Sequence, residues 1–125
     1  MELIVVCVIL GVLLRLGSVM YSTTHEKARA AEARSMLGYI RTAEENYWLD
    51  NDWYSGNLTL LGVEDVQDSC SKGTQYFSYT LGGITNTTFT ANATRCTSGG
   101  KSPPGKTAYT LSLDQGGNLT IPDGY

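Results

Sequence analysis

The sequence predicts an α+β fold: one long N-terminal helix whose C-terminal half packs on a small four-stranded antiparallel sheet. Three observations carry this. Every residue from Leu3 to Leu14 is apolar or Gly11, an apolar repeat at three- and four-residue steps then runs on to Tyr47, and no Pro interrupts either. The second half changes character: short β-prone runs alternate with Gly-rich turns.

The helix is expected from near Glu2 to about Leu49, with a break at Asp50-Asn51-Asp52. Its first part is greasy: Leu3, Ile4, Val5, Val6, Val8, Ile9, Leu10, Val12, Leu13 and Leu14 precede Arg15, and small and apolar residues continue to Tyr21. At a rise of about 1.5 Å per residue this stretch is on the order of 28 Å long, close to the hydrocarbon thickness of a bilayer. A cleavable signal peptide would start with a basic residue and end at a small-residue cut site. Here Glu2 follows Met1 and the pattern stays helical, so residues 1–21 read as a retained membrane anchor that needs lipid or other copies of itself for burial, and 22–50 as an amphipathic continuation. The apolar stripe of that continuation is Ala33, Met36 or Leu37, Ile40, Ala43 and Tyr47. Glu26, Lys27, Arg29, Glu32, Arg41, Glu44 and Glu45 read as its solvated faces, with Glu26–Arg29 and Arg41–Glu45 spaced to pair.

Residues 51–125 form the expected head. Its connector, 51–72, offers Trp53, Tyr54, Leu58, Leu60, Leu61 and Val63 as buried anchors. Strands are expected at 75–81, 87–94, 107–113 and 118–121, with a turn at Gly82-Gly83 and a Gly/Pro-rich loop at 98–105. Cys70 and Cys96 read as one disulfide of an exported head, with Cys7 left as a buried thiol in the apolar run. Both paired cysteines are equidistant from residue 83, so a hairpin turning there would bring them together. The tyrosines and tryptophans Tyr39, Tyr47, Trp48, Trp53 and Tyr54 read as helix-to-sheet packing.

Composition excludes several classes. The formal charge is −3 with nine scattered basic residues, which gives no support for nucleic-acid contact by the subunit. Gly100 to Thr107 fits the P-loop pattern letter by letter, but Pro103 and Pro104 supply no N–H and the following residues alternate like a strand. No catalytic constellation is present, no cofactor is implied, and neither His25 nor the cysteines have metal-ligand spacing, so the reading is non-enzymatic. The acidic groups Asp50 with Asp52, and Glu64, Asp65 and Asp68, lack a cation-loop spacing. Asn57, Asn86, Asn92 and Asn118 open four acceptor sequons, so a glycoprotein is possible chemistry.

The run from Glu2 to Val12, and Lys27-Ala-Arg-Ala-Ala-Glu-Ala-Arg-Ser-Met-Leu-Gly-Tyr-Ile-Arg-Thr-Ala-Glu after it, resemble the type IV pilins and pseudopilins. The sequence-specific likeness lies in roughly the first fifty residues. Arg15 departs from it, because that stretch normally holds small and apolar residues. The resemblance implies a pilin-like structural subunit that polymerises through its apolar helix into an extracellular filament serving adhesion, motility or DNA uptake. It implies copies of itself, inner-membrane lipid and pilus assembly machinery as partners, at the cell surface. Glu2 would neutralise the terminal amine of a neighbouring subunit, because a carboxylate beside an apolar helix needs a partner in lipid. Gly11 would allow close backbone approach or local helix melting, and Arg15 would snorkel in the membrane and then seek an oxygen ligand in the polymer. A type II secretion pseudopilin and a membrane-tethered monomeric binding domain are the alternatives.

Overall fold

A computed structural model describes residues 1–63 and 66–125, and the side chains of residues 16–24 lie outside that description. The uninterrupted helical pattern forms α1 (Glu2–Asn51). It stops where Asp52 takes a left-handed conformation, φ 56°, and donates its N–H to the Trp48 carbonyl at 2.7 Å. The face turned to the head is Ala30, Ala33, Leu37, Ile40 and Glu44, all fully buried. Ala30 and Ala33 keep that face low enough for a sheet to approach closely. Two expectations change here. Ala43 and Tyr47 are only half-buried, and Glu44, expected on a solvated face, ends the buried stripe. The helical step from Ile40 puts residue 44 rather than 43 against the connector.

The apolar run at the start of α1 stays outside this core, with Leu3 80% and Leu14 74% exposed on the single chain. Cys7, within the same run, is exposed on the single chain too. No helix among the described residues is long and apolar enough to cross a membrane. The end of the anchor expected at 1–21 falls on side chains outside the description. So do Glu64 and Asp65 of the acidic group at 64–68.

Four strands follow the short helix α2 (Ser69–Lys72): β1 (Phe77–Gly82), β2 (Thr90–Arg95), β3 (Thr110–Asp114) and β4 (Leu119–Thr120). They pair in sequence order, all antiparallel. Period-2 alternation turns Phe77 and Tyr79, then Ala91, Ala93 and Arg95, then Leu111 and Leu113, to the buried face. Leu58, Val63, Val66 and Phe89 complete the core from the connecting segments. Of the expected connector anchors, Trp53 and Leu60 point outward, at 51% and 63% exposure.

The hairpin differs from expectation in register but not in its bridge. Pairs run from Phe77↔Arg95 to Gly82↔Thr90, so its centre is residue 86 rather than 83. The turn is a seven-residue loop, 83–89, in which Thr85 Oγ1 accepts from the N–H groups of Thr87 and Thr88 at 3.1 and 2.9 Å. The disulfide Cys70–Cys96 nevertheless forms, with Cα atoms 5.5 Å apart. Cys70 reaches Cys96 from α2, which folds back over the start of β1, and not as a rung of the ladder.

Candidate functional site

Strand β2 reads Thr-Ala-Asn-Ala-Thr-Arg, and its alternation sends the arginine inward after two alanines. Arg95 is fully buried there. A buried guanidinium is tolerated only if its donors are met. Nε donates to Glu26 Oε1 at 2.8 Å, Nη1 to the carbonyls of Tyr76 and Cys96 at 3.1 and 3.0 Å, and Nη2 to the Pro103 carbonyl at 2.9 Å. The planar fork thereby joins α1, the entrance to β1 and the loop 96–109.

Glu26 is shared further. Tyr109 donates its hydroxyl to the same Oε1 at 2.6 Å, and Arg29 Nη1 donates to Oε2 at 3.0 Å. Burial alone would raise the Glu26 pKa, but the hydrogen bonds from Tyr109, Arg95 and Arg29 together hold the carboxyl below its ordinary range. Burial, followed by the bond to Glu26, pushes the Tyr109 phenol well above its usual value.

The loop is also tied through its backbone. The N–H of Gly100 donates to Cys70 O at 2.6 Å, that of Lys101 to Gln75 O at 2.8 Å, and that of Gly105 to Cys96 O at 2.8 Å. Gly99 and Gly100 have φ of 63° and 68°, and a Cβ on Gly100 would lie 2.8 Å from Cys96 Cβ. A side chain at Gly105 would come within 2.8 Å of Arg95 Cγ. Glycine is required where the loop presses on the bridge and on the arginine.

What this scaffold presents is a set of cations and aromatic rings, with two carboxylates on the groove side. Lys101 Nζ and the Arg29 guanidinium carbon lie 5.2 and 5.1 Å from the centre of the Tyr76 ring. Lys106 and Arg29 line a groove of about 410 Å³ between α1 and the loop together with the carboxylates Glu26 and Asp123, walled by Pro103, Pro104, Tyr109 and Tyr125. Tyr125 stacks on Tyr109 with ring centres 3.9 Å apart. Arg29, Lys101 and Lys106, scattered in the sequence, therefore lie about one corner of the head. The expectation of no nucleic-acid contact used net charge, which is blind to such convergence.

The expected assembly residues Glu2, Gly11 and Arg15 lie on the N-terminal run of α1 and do not line this corner. Among the sequons, Asn92 Oδ1 accepts from Ser112 Oγ at 2.6 Å, Asn118 Nδ2 donates to Asp114 at 3.1 Å, and Asn57 Oδ1 accepts from the Thr59 N–H at 2.9 Å. Asn86 is exposed in the 83–89 loop, where its carbonyl accepts from Trp48 Nε1 at 2.8 Å. The P-loop look-alike is the loop itself, which runs into β3 rather than a helix. The Arg95 hub was missed in the sequence. Its signal was available in an arginine at an inward strand position, with Glu26 read only as a surface partner of Arg29.

A long helix on a four-stranded antiparallel meander, with a disulfide-tied loop beside the sheet, is the architecture of a type IV pilin. Residues 20–103, more than half of the chain, match the family described as type IV minor pilin ComP, DNA uptake sequence receptor, and the chain belongs to that family. The match reaches well into the head, beyond the first fifty residues in which the sequence likeness was expected to lie. No curated protein and no solved structure gives a significant match.

Proposed function

We propose that this chain is a minor subunit of a cell-surface type IV pilus that receives DNA at the Cys70–Cys96 corner. The observation that carries the reading is the placement of Arg29 and Lys101 against Tyr76, with Lys106 in the adjoining groove, on a loop held by Arg95 and the disulfide. Cations fixed at one corner neutralise successive phosphates, and an aromatic ring among them adds contact to sugar or base. The description of the family as a DNA uptake sequence receptor supports DNA uptake over adhesion or motility. The subunit enters the filament through the exposed apolar run of α1, with Glu2, Gly11 and Arg15 as its assembly residues and lipid covering the run beforehand. It acts by binding and structure, not by catalysis.

Fluorescence anisotropy of the full chain in detergent, with labelled duplex fragments of the source genome, tests DNA reception. Binding is expected to weaken with salt, and Lys101→Ala/Lys106→Ala to reduce the log–log salt slope by about two. No binding at low salt, or an unchanged slope, would overturn the reading. The assembly half is read separately: Glu2→Ala incorporated normally into sheared filaments would remove the role given to Glu2.

A further inference from the structure

We propose that Arg95 is the positioning residue of the DNA-receiving loop: its buried guanidinium is the template on which 96–106 is laid, and it sets where Lys101 and Lys106 stand. The proposal rests on the reading of that corner as a DNA receptor. Arg95 itself cannot touch DNA, since its side chain is fully buried.

The case is geometric. Three of the four bonds from Arg95 go to main-chain carbonyls, those of Tyr76, Cys96 and Pro103. Two of these carbonyls belong to the loop, and the third belongs to the residue whose ring meets Lys101. The fourth bond, to Glu26, anchors the whole set to α1. Tyr109 pins the Glu26 carboxylate from the far end of the loop, where β3 is about to begin. The loop therefore has a charged post at its centre and a tie at each end: the disulfide at Cys96 and the Tyr109 hydroxyl. Contact completes the fit, because Gly105 leaves no room for a side chain against Arg95 Cγ. Hydrophobic packing is not what seats residues 97–104, which are exposed apart from half-buried Gly100. Their position comes from polar bonds, and the Arg95 fork supplies those at Cys96 and Pro103.

A lysine cannot substitute. Its ammonium is a single point with three donors and cannot span Glu26, Tyr76, Cys96 and Pro103 in one plane. Arg95→Lys keeps the buried positive charge opposite Glu26 while removing the fork, so charge and shape are separated in one variant. Gly105→Ala is the complement: it leaves the guanidinium intact and pushes the loop away from it.

The test measures DNA affinity against salt for the full chain, its Arg95→Lys and Gly105→Ala variants, and each combined with Lys101→Ala/Lys106→Ala. Amide hydrogen exchange at Lys101 and Gly105 is read in parallel, with an intact-mass check that the disulfide is formed. Arg95→Lys and Gly105→Ala are each expected to lower the salt slope by about two, as the double lysine variant does. Adding the lysine substitutions to either should then cause no further loss, and both amides should exchange faster while those of β2 and β3 keep their protection. A wild-type slope in Arg95→Lys, or additive losses in the combined variants, overturns the proposal. Should wild type bind no DNA, the receptor reading itself falls, and this assignment falls with it. Should wild type bind DNA but Arg95→Lys leave both amides protected, only the positioning role fails.

Discussion

Arg95 donates to Glu26 across the helix–sheet interface at 2.8 Å, so a fully buried cation is answered by a carboxylate 69 positions earlier in the chain. Glu26 keeps Tyr109 and Arg29 without Arg95, but removing Glu26 leaves the buried cation without its carboxylate. Glu26→Ala should therefore destabilise the head by about 3–5 kcal/mol, whereas the apolar pair Glu26→Leu/Arg95→Met should cost less than that single change. Urea denaturation of the three proteins decides this. A double variant weaker than Glu26→Ala would mean that the arginine does more than answer the carboxylate.

Two carboxyls give opposite dependences on pH. The folded pKa of Glu26 lies below its ordinary 4.5, so its contribution is present above that value and is lost as pH falls through the lowered one. The Glu44 pKa is raised by burial, against the bond it accepts from the Ser55 N–H at 2.8 Å. Its contribution is complete below 4.5 and is lost as pH rises through the raised value. Urea midpoints should thus fall on both sides of mildly acidic pH. Glu26→Gln should flatten the acid limb and Glu44→Gln the other. Among the described residues Glu44 Oε1 is buried without a hydrogen-bond partner, so Glu44→Gln should not weaken the fold at neutral pH. By contrast, Glu44→Ala would leave the Ser55 amide unmet, at about 1–3 kcal/mol.

Reducing Cys70–Cys96 should cost about 2–4 kcal/mol, because it releases a closed loop from the denatured chain. The damage should be local in the native state. Exchange should quicken first at Gly100, whose N–H bonds to Cys70 O, while β3 keeps its protection. Native-state hydrogen exchange with and without reductant reads both effects.

Glycines separate the two ends of the molecule. A Cβ on Gly38 or Gly11 meets nothing within 4 Å, so alanine at either should favour the helix by up to about 1 kcal/mol in the single chain. At Gly99, with φ of 63° and the Cys70 carbonyl in the way, alanine should destabilise. Thermal melts rank these three. If Gly11 serves close packing between copies, Gly11→Ala should impair only filament incorporation, visible in sheared preparations.

The sequence showed most clearly what depends on periodicity. The helix, its end near Asp52 and the order of strands follow from spacing and turn chemistry, and the pairing of Cys70 with Cys96 from their being the two cysteines of the head. The hairpin register did not follow, because Gly82-Gly83 sits at the edge of the 83–89 loop rather than at its centre. Nothing in a residue count reveals that α2 doubles the chain back by several positions. Glu26, Glu44 and Arg95 were illegible for a different reason. Charged residues are assigned to the surface by default, and only tertiary contact tells which ones are enclosed and matched. The cations of that corner were hidden likewise, since Arg29, Lys101 and Lys106 are neighbours only after folding.

The bridge has a mechanical consequence. On the proposed reading as a filament subunit, tension would enter through α1, and the ring closed by residues 70 and 96 contains both strands of the first hairpin. Those 26 positions cannot be drawn out, which withholds on the order of 80 Å of contour from any unravelling. Only the connector before Cys70 and the segment after Cys96 can lengthen. A subunit under such tension would therefore yield at its periphery while the hairpin held by the bridge stays shut.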